Sequence, residues 1–181
     1  MNSVAPLFDY QGRVISLLGG IDHQEIDRLI DHLLRLDTAS RRPITLYVSC
    51  RGGSIVEALM ITDIFASLRS RVTGIGMGLI AGAGAVILAS THDRVLLPSA
   101  VLSTAGLHDF AVSQATTLVE TIQPRIEALG ERSPRLVELI NRAERRQEFI
   151  SAPEALRKCL IDRIHEKHVP DRVPERISRV R

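Results

Sequence analysis

Tryptophan is absent from the 181-residue chain, and aromatic residues make up only 3% of it. Base-stacking platforms and aromatic sugar-binding shelves are therefore not expected. Charge of one sign is also missing. The 23 Lys and Arg face 21 Asp and Glu, a net charge of +2. So small an excess gives no electrostatic footprint for a nucleic-acid partner. The two cysteines, Cys50 and Cys159, lack CxxC spacing and read as reduced thiols rather than a disulfide framework. No basic stretch followed by an apolar run opens the sequence, so no secretory signal is read. The longest small-apolar run, Gly78 to Ala89, is too short to span a bilayer. What is present is a 45% hydrophobic share built from Leu, Ile, Val and Ala, enough for one full core. The expectation is a cytoplasmic single-domain protein that engages neither nucleic acid nor membrane.

Periodicity then divides the chain. Arg13 to Leu18 reads as a strand closed by a turn at Gly19-Gly20. Asp22 stands at an N-cap position before His23 to Leu36, where Ile26, Leu29, Ile30, Leu33 and Leu34 recur at helical spacing. Ile44 to Val48 is β-branched and nearly all apolar, the pattern of a buried strand. Cys50-Arg51-Gly52-Gly53-Ser54 reads as a tight turn into a helix over Ile55 to Leu68, with Ser54 as its cap. Val72 to Met77 is a strand, and Gly78 to Ala89 a helix of small residues. Arg94 to Leu97 and Val101 to Thr104 are short strands. Ser113 to Leu129 and Pro134 to Glu148 are helical by period, with Pro124 placed to kink the first. Ile161 to Ile164 returns to strand. Strands alternating with helices predict an α/β fold with a mainly parallel sheet flanked by helices. The stretch 166–181 carries Lys167, Arg172, Arg176, Arg179 and Arg181 against Glu166, Asp171 and Glu175, and reads as a basic, flexible tail.

Chemistry is expected at the two glycine turns, because ligands of open α/β sheets sit beyond the strands' carboxyl ends. Gly52 and Gly53 leave backbone N–H groups bare, as an oxyanion hole requires. Gly76-x-Gly78-x-x-Ala81 fits a dinucleotide fingerprint, but the acid expected about twenty residues on is missing, which leaves a weak match. Its alternative role is close packing of a helix on a sheet.

Several segments resemble the proteolytic subunit of the Clp protease, a serine peptidase of the crotonase-like fold with repeated β-β-α units and a helical handle. Arg13 to Asp22 is similar to that family's first strand and turn. Leu46 to Ser54 is similar to the strand entering its Pro-Gly-Gly oxyanion turn, with Arg51 in place of the proline. Gly76 to Ala85 is similar to its nucleophile segment, and Leu97-Pro98-Ser99 to the approach to its histidine. Phe149 to Leu156 with Leu160-Ile161-Asp162 is similar to its closing motif. The resemblance implies one domain over residues 1–165, a handle near 113–148, and no cofactor or metal.

The resemblance also locates the family's triad, and each position is substituted. The nucleophile falls on Gly82, the histidine on Ala105 and the aspartate on Gln147. The implied oxyanion donors are the backbone N–H groups of Gly53 and Ala83, in a cleft bordered by Gly52, Gly53, Gly78 and Gly82. The implied function is a pseudo-peptidase, a structural, regulatory or peptide-binding subunit. Its partners would be other copies in a ring, active Clp subunits or a AAA+ unfoldase. The handle segment is about two helical turns shorter than the family's, which bears on ring stacking. The segment before the first strand is also shorter than the family's pore-lining one, which bears on gating. Two alternatives are carried. One is an active peptidase with relocated groups, His108 with a hydroxyl or thiol from Ser54, Ser90, Ser103 or Cys50. The other is a crotonase-like acyl-CoA binder.

Overall fold

The computed structural model describes residues 12–104, 134, 135, 138 and 148–165. The handle near 113–148, apart from residues 134, 135, 138 and 148, therefore lies outside the described residues, as do Pro124 and the tail over 166–181.

Strand β1 (Val14–Ile21) does not turn at Gly19-Gly20 but continues to Ile21. It pairs in parallel with β2 (Ile44–Gly53), and the register shifts between Gly19 and Ile21. Gly19 absorbs the irregularity at φ +101°. Helix α1 (His23–Ala39) starts as the sequence predicts, with Asp22 Oδ1 accepting from the Glu25 N–H at 2.9 Å. Ile26, Leu29, Leu33 and Leu36 form its buried stripe, whereas Leu34 lies off it and is 44% exposed. The helix runs three residues beyond Leu36 before Ser40 closes it on the Leu36 carbonyl.

The expected turn at Arg51-Gly52-Gly53 is also strand. Pairing of Ile21 with Gly53 holds this stretch in β2, and both glycines take φ above +130°. Ile44, Leu46, Val48 and Cys50 are buried, but Thr45, Tyr47 and Ser49 between them are only half-buried. The burial expected of a wholly apolar strand therefore holds on one face. Helix α2 (Ile55–Ser67) is capped by Ser54 Oγ, which accepts from the Glu57 N–H at 3.3 Å.

Strand β3 (Val72–Gly76) extends the sheet, and the next segment departs from the sequence expectation. Leu79–Ala81 is a short strand, β4, and helix α3 (Ala83–Ser90) begins only after Gly82. Strands β5 (Asp93–Leu96), β6 (Val101–Ser103), β7 (Phe149–Ser151) and β8 (Arg163–Ile164) follow, with helix α4 (Ala152–Arg157) between the last two. The first sheet has the order β1-β2-β3-β5-β8 and is parallel throughout. The second has the order β4-β6-β7, with β7 antiparallel to β6. The chain thus changes sheets between β3 and β4, at Met77-Gly78. No helix among the described residues is long and apolar enough to cross a membrane.

Gly76 of the dinucleotide-like pattern serves packing, as do Gly74 and Gly84 on either side of it, whereas Gly78 serves a turn. A Cβ on Gly76 would lie 2.5 Å from Leu96 Cδ2, and one on Gly74 would lie 2.7 Å from Thr91 Oγ1. One on Gly84 would lie 2.6 Å from Cys50 Cβ and 3.1 Å from the Cys50 carbonyl oxygen. Helix α3 therefore rests directly on β2 through Gly84. Gly84→Ala gains up to about 1 kcal/mol of helix propensity. The new methyl meets a Cβ and a backbone carbonyl of a buried strand, which cannot swing away as a flexible side-chain end would. Overpacking of that kind costs about 1–3 kcal/mol. Urea unfolding of Gly84→Ala should show a net loss, and an unchanged or raised midpoint would mean that the helix can lift without penalty.

Candidate functional site

Three strand ends converge where β3 hands over to β4. The first is the end of β2. A Cβ on Gly53 would lie 2.4 Å from the Ile21 carbonyl oxygen, so only glycine fits, and the Ser54 N–H donates to that same oxygen at 3.2 Å. The Gly52 N–H donates to Cys50 Sγ at 3.4 Å, and the thiol lies 3.2 Å from the Gly52 carbonyl oxygen. Burial pushes the Cys50 thiol up, against hydrogen bonds from the Gly52 and Gly84 backbone. It is fully buried and poorly suited to act as a nucleophile.

The second strand end is the elbow itself. Gly78 turns at φ +61°, and its carbonyl accepts from the Val101 N–H at 2.8 Å, which starts the pairing of β4 with β6. After Ala81 the chain reverses at Gly82, with φ +51° and ψ −124°. That backbone conformation is costly for an L-residue with a side chain. The Gly82 carbonyl accepts from the Ala85 and Val86 N–H groups, starting α3. No side chain caps this helix start. Ala83, the residue after the elbow, is buried.

The third end is the junction of β6 and β7. Ala81 pairs with Ser103, and Ser103 pairs with Phe149. Beyond Ser103 the Thr104 N–H donates to the Glu148 carbonyl at 3.1 Å, and Thr104 Oγ1 accepts from the Glu148 N–H at 2.9 Å. Gly82, Thr104 and Glu148 therefore follow one another across adjacent strands. Ala105 follows Thr104 in sequence and Gln147 precedes Glu148. Both, with His108, lie outside the described residues.

The other hydroxyls considered as nucleophiles have local duties. Ser54 caps α2, and Ser90 Oγ donates back to the Val86 carbonyl at 2.7 Å. Ser103 is fully buried. Sequence reasoning missed two features of this corner, strand β4 and the Thr104–Glu148 clasp. A signal for the first was present, since Leu79-Ile80-Ala81 stands between two isolated glycines. The second joins residues 44 positions apart and leaves no local signature.

The fold defines a class, the α/β proteins with a mainly parallel sheet flanked by helices, here with a glycine elbow between β4 and α3. A sequence model of the Clp protease family matches residues 6–168. The ATP-dependent Clp protease proteolytic subunit of Streptococcus sanguinis is 32% identical over 167 residues, covering 85% of each chain. Proteolytic subunit 3 of a Synechococcus strain is 29% identical over 164 residues, covering 84% of this chain and 82% of that one. The crystal structure of the ClpP protease catalytic domain from Plasmodium falciparum superposes with a TM-score of 0.73 at 30% identity, covering 89% of each chain. A point mutant of ClpP1 from Listeria monocytogenes shares the fold, with a TM-score of 0.67 at 22% identity, covering 88% of this chain and 94% of that one. The chain belongs to the Clp protease family.

Proposed function

We propose that this protein is a non-catalytic Clp subunit, a pseudo-peptidase that retains the family's cleft without its nucleophile. The observation that carries the reading is Gly82. It occupies the elbow, where the family resemblance places the nucleophilic hydroxyl, and a glycine has none. The same resemblance puts Ala105 at the histidine and Gln147 at the aspartate. Because the three groups of such a triad act as a unit, loss of all three leaves only what backbone donors and binding supply. Those donors are the N–H groups of Gly53 and Ala83, which a side-chain substitution does not remove. The cleft between Gly52-Gly53 and Gly78 to Gly82 then binds an extended peptide or a partner's segment without cleaving it. Assembly follows the family as well. The protein forms a ring with copies of itself, either alone or mixed with active Clp subunits, and a AAA+ unfoldase is its further partner. Its compartment is the cytoplasm.

The test is incubation of the purified protein with a peptide library and a fluorophosphonate probe, read by mass spectrometry, with size-exclusion light scattering of the same sample. No cleavage and no labelled residue from a defined ring is the expected result. A specifically labelled serine, or cleavage that tracks with the ring, would overturn the reading and name the nucleophile.

A further inference from the structure

Asp162 lies just after Leu160-Ile161, on the way into β8, and its carboxylate gathers donors from distant parts of the chain. Oδ2 accepts from the Arg94 N–H at 2.8 Å and pairs with Arg94 Nη2 at 2.8 Å. Oδ1 accepts from Nη1 of Arg135, a helical residue 27 positions earlier. The Asp162 N–H donates to the Arg94 carbonyl at 2.9 Å, so the backbone is tied at the same point.

Arg94 carries the connection further. Its Nη1 donates to the carbonyls of Thr91 at 2.8 Å and Ala89 at 3.3 Å, and its Nη2 donates to the His92 carbonyl at 3.4 Å. These oxygens lie at the C-terminal end of α3, where a cation also complements the helix dipole. Arg94 Nε is buried and has no hydrogen-bond partner among the described residues. A guanidinium so far desolvated depends on its counter-charge, and Asp162 is its ion-pair partner among the described residues.

We propose that the Asp162 carboxylate is a latch, holding the helical residues Pro134 and Arg135 onto the start of β5 and tying their seating to the C-terminal end of α3. The opposite end of α3 is the Gly82 elbow, so the helix that presents the elbow is anchored at its far end by this carboxylate. These contacts hold whether or not the elbow is catalytic.

The latch is asymmetric, and the asymmetry supplies the test. Arg135→Gln removes one arm and leaves the Arg94 pair in place. Asp162→Asn removes the negative charge and one of the two acceptor oxygens, and leaves two guanidinium groups facing a neutral amide. Hydrogen exchange of the full chain would be followed in peptides covering Arg135, residues 89–92 and Ile44 to Val48. In Arg135→Gln, exchange around Arg135 should accelerate on the order of tenfold, with residues 89–92 and β2 unchanged. In Asp162→Asn, the acceleration should extend to residues 89–92 while β2 keeps its protection. No change around Arg135 in the first variant, or uniform acceleration along the chain, overturns the latch. Acceleration around Arg135 alone in Asp162→Asn overturns the tie to α3. Should Asp162→Asn fail to fold, Arg135→Gln decides the hold on Arg135, and Arg94→Lys decides the tie to α3. That variant keeps a charge but loses the contacts of the guanidinium to the Ala89, Thr91 and His92 carbonyls. Faster exchange at residues 89–92 is expected, and no change there overturns the tie.

Discussion

Replacing Asp37 by alanine is expected to lower the stability of the fold by about 3–5 kcal/mol in urea unfolding. Asp37 is near the end of α1 and only 8% exposed. Its Oδ1 accepts from the Ser70 N–H at 2.7 Å and the Arg69 N–H at 3.0 Å, and Oδ2 accepts from Arg69 Nε at 3.1 Å. Alanine leaves two backbone donors of the α2–β3 connection unpaired. It also disturbs a neighbour, since the Ser70 hydroxyl accepts from Arg13 Nη2 and donates to the Ser40 carbonyl. Arg13 is 3% exposed and donates to the carbonyls of Leu36, Ser40 and Pro43. One polar cluster therefore fastens the start of β1, the end of α1, the entry to β2 and the entry to β3. A loss below about 1 kcal/mol in Asp37→Ala, the size of an ordinary surface substitution, would refute this account.

The same cluster sets the response to acid. Burial alone would push the Asp37 carboxyl up, but hydrogen bonds from Ser70 and the charge and hydrogen bond of Arg69 hold it below the usual carboxylate range. A carboxyl lowered by folding contributes stability in full above its unfolded value, near 3.9, and loses it as pH falls through the folded value. Asp162 is lowered as well: its burial is outweighed by the Arg94 backbone, then by Arg135 and the Arg94 charge. His92 acts at higher pH. Burial lowers it, reinforced by Arg71, and its Nδ1 accepts from the Val72 N–H at 3.0 Å, which requires the neutral ring. Its contribution is complete above about pH 6.5 and declines as pH falls toward the folded value. Stability should therefore fall in two stages, first below about pH 6.5 and again below about pH 4. Asp37→Asn should shrink the second stage to the share of Asp162 without touching the first.

Restoring the elbow hydroxyl alone, as Gly82→Ser, is expected to produce no measurable peptide hydrolysis. It should cost about 1–3 kcal/mol, because φ +51° with ψ −124° is a strained conformation for serine. The combined variant Gly82→Ser, Ala105→His, Gln147→Asp is expected to hydrolyse a fluorogenic peptide on the order of a thousandfold faster than the parent. The large effect appears only in combination because a serine hydroxyl is a weak nucleophile until a positioned base takes its proton. Turnover by the parent equal to that of the combined variant would mean that the chain already holds its catalytic groups elsewhere.

Much of the fold was legible because its signals are local. Asp22 and Ser54 cap helices as their spacing indicates, and Ile26, Leu29 and Leu33 line the buried stripe of α1. Errors clustered at glycines. Gly19-Gly20 and Gly52-Gly53 look like turns, yet each is held extended by the strand beside it. Gly78 to Ala89 looks like one helix because its residues are uniformly apolar, with no polar residue to mark a break. Pairing of Leu79 with Val101, 22 positions away, makes its first part a strand.

The sequence by itself determined the alternation of strands and helices, the family, and the absence of a hydroxyl at residue 82. Each of these is a matter of residue identity and near-neighbour spacing. Only the tertiary structure decided that Gly82 is an elbow at positive φ rather than a position inside a helix. It alone placed Thr104 against Glu148 and buried Arg13, a residue that reads as the polar start of a strand. It alone set Asp162 between Arg94 and Arg135. The physical reason is common to all four. Each depends on hydrogen bonds or strand pairing between residues tens of positions apart, and no local pattern encodes which distant carbonyl, carboxylate or strand a group will meet.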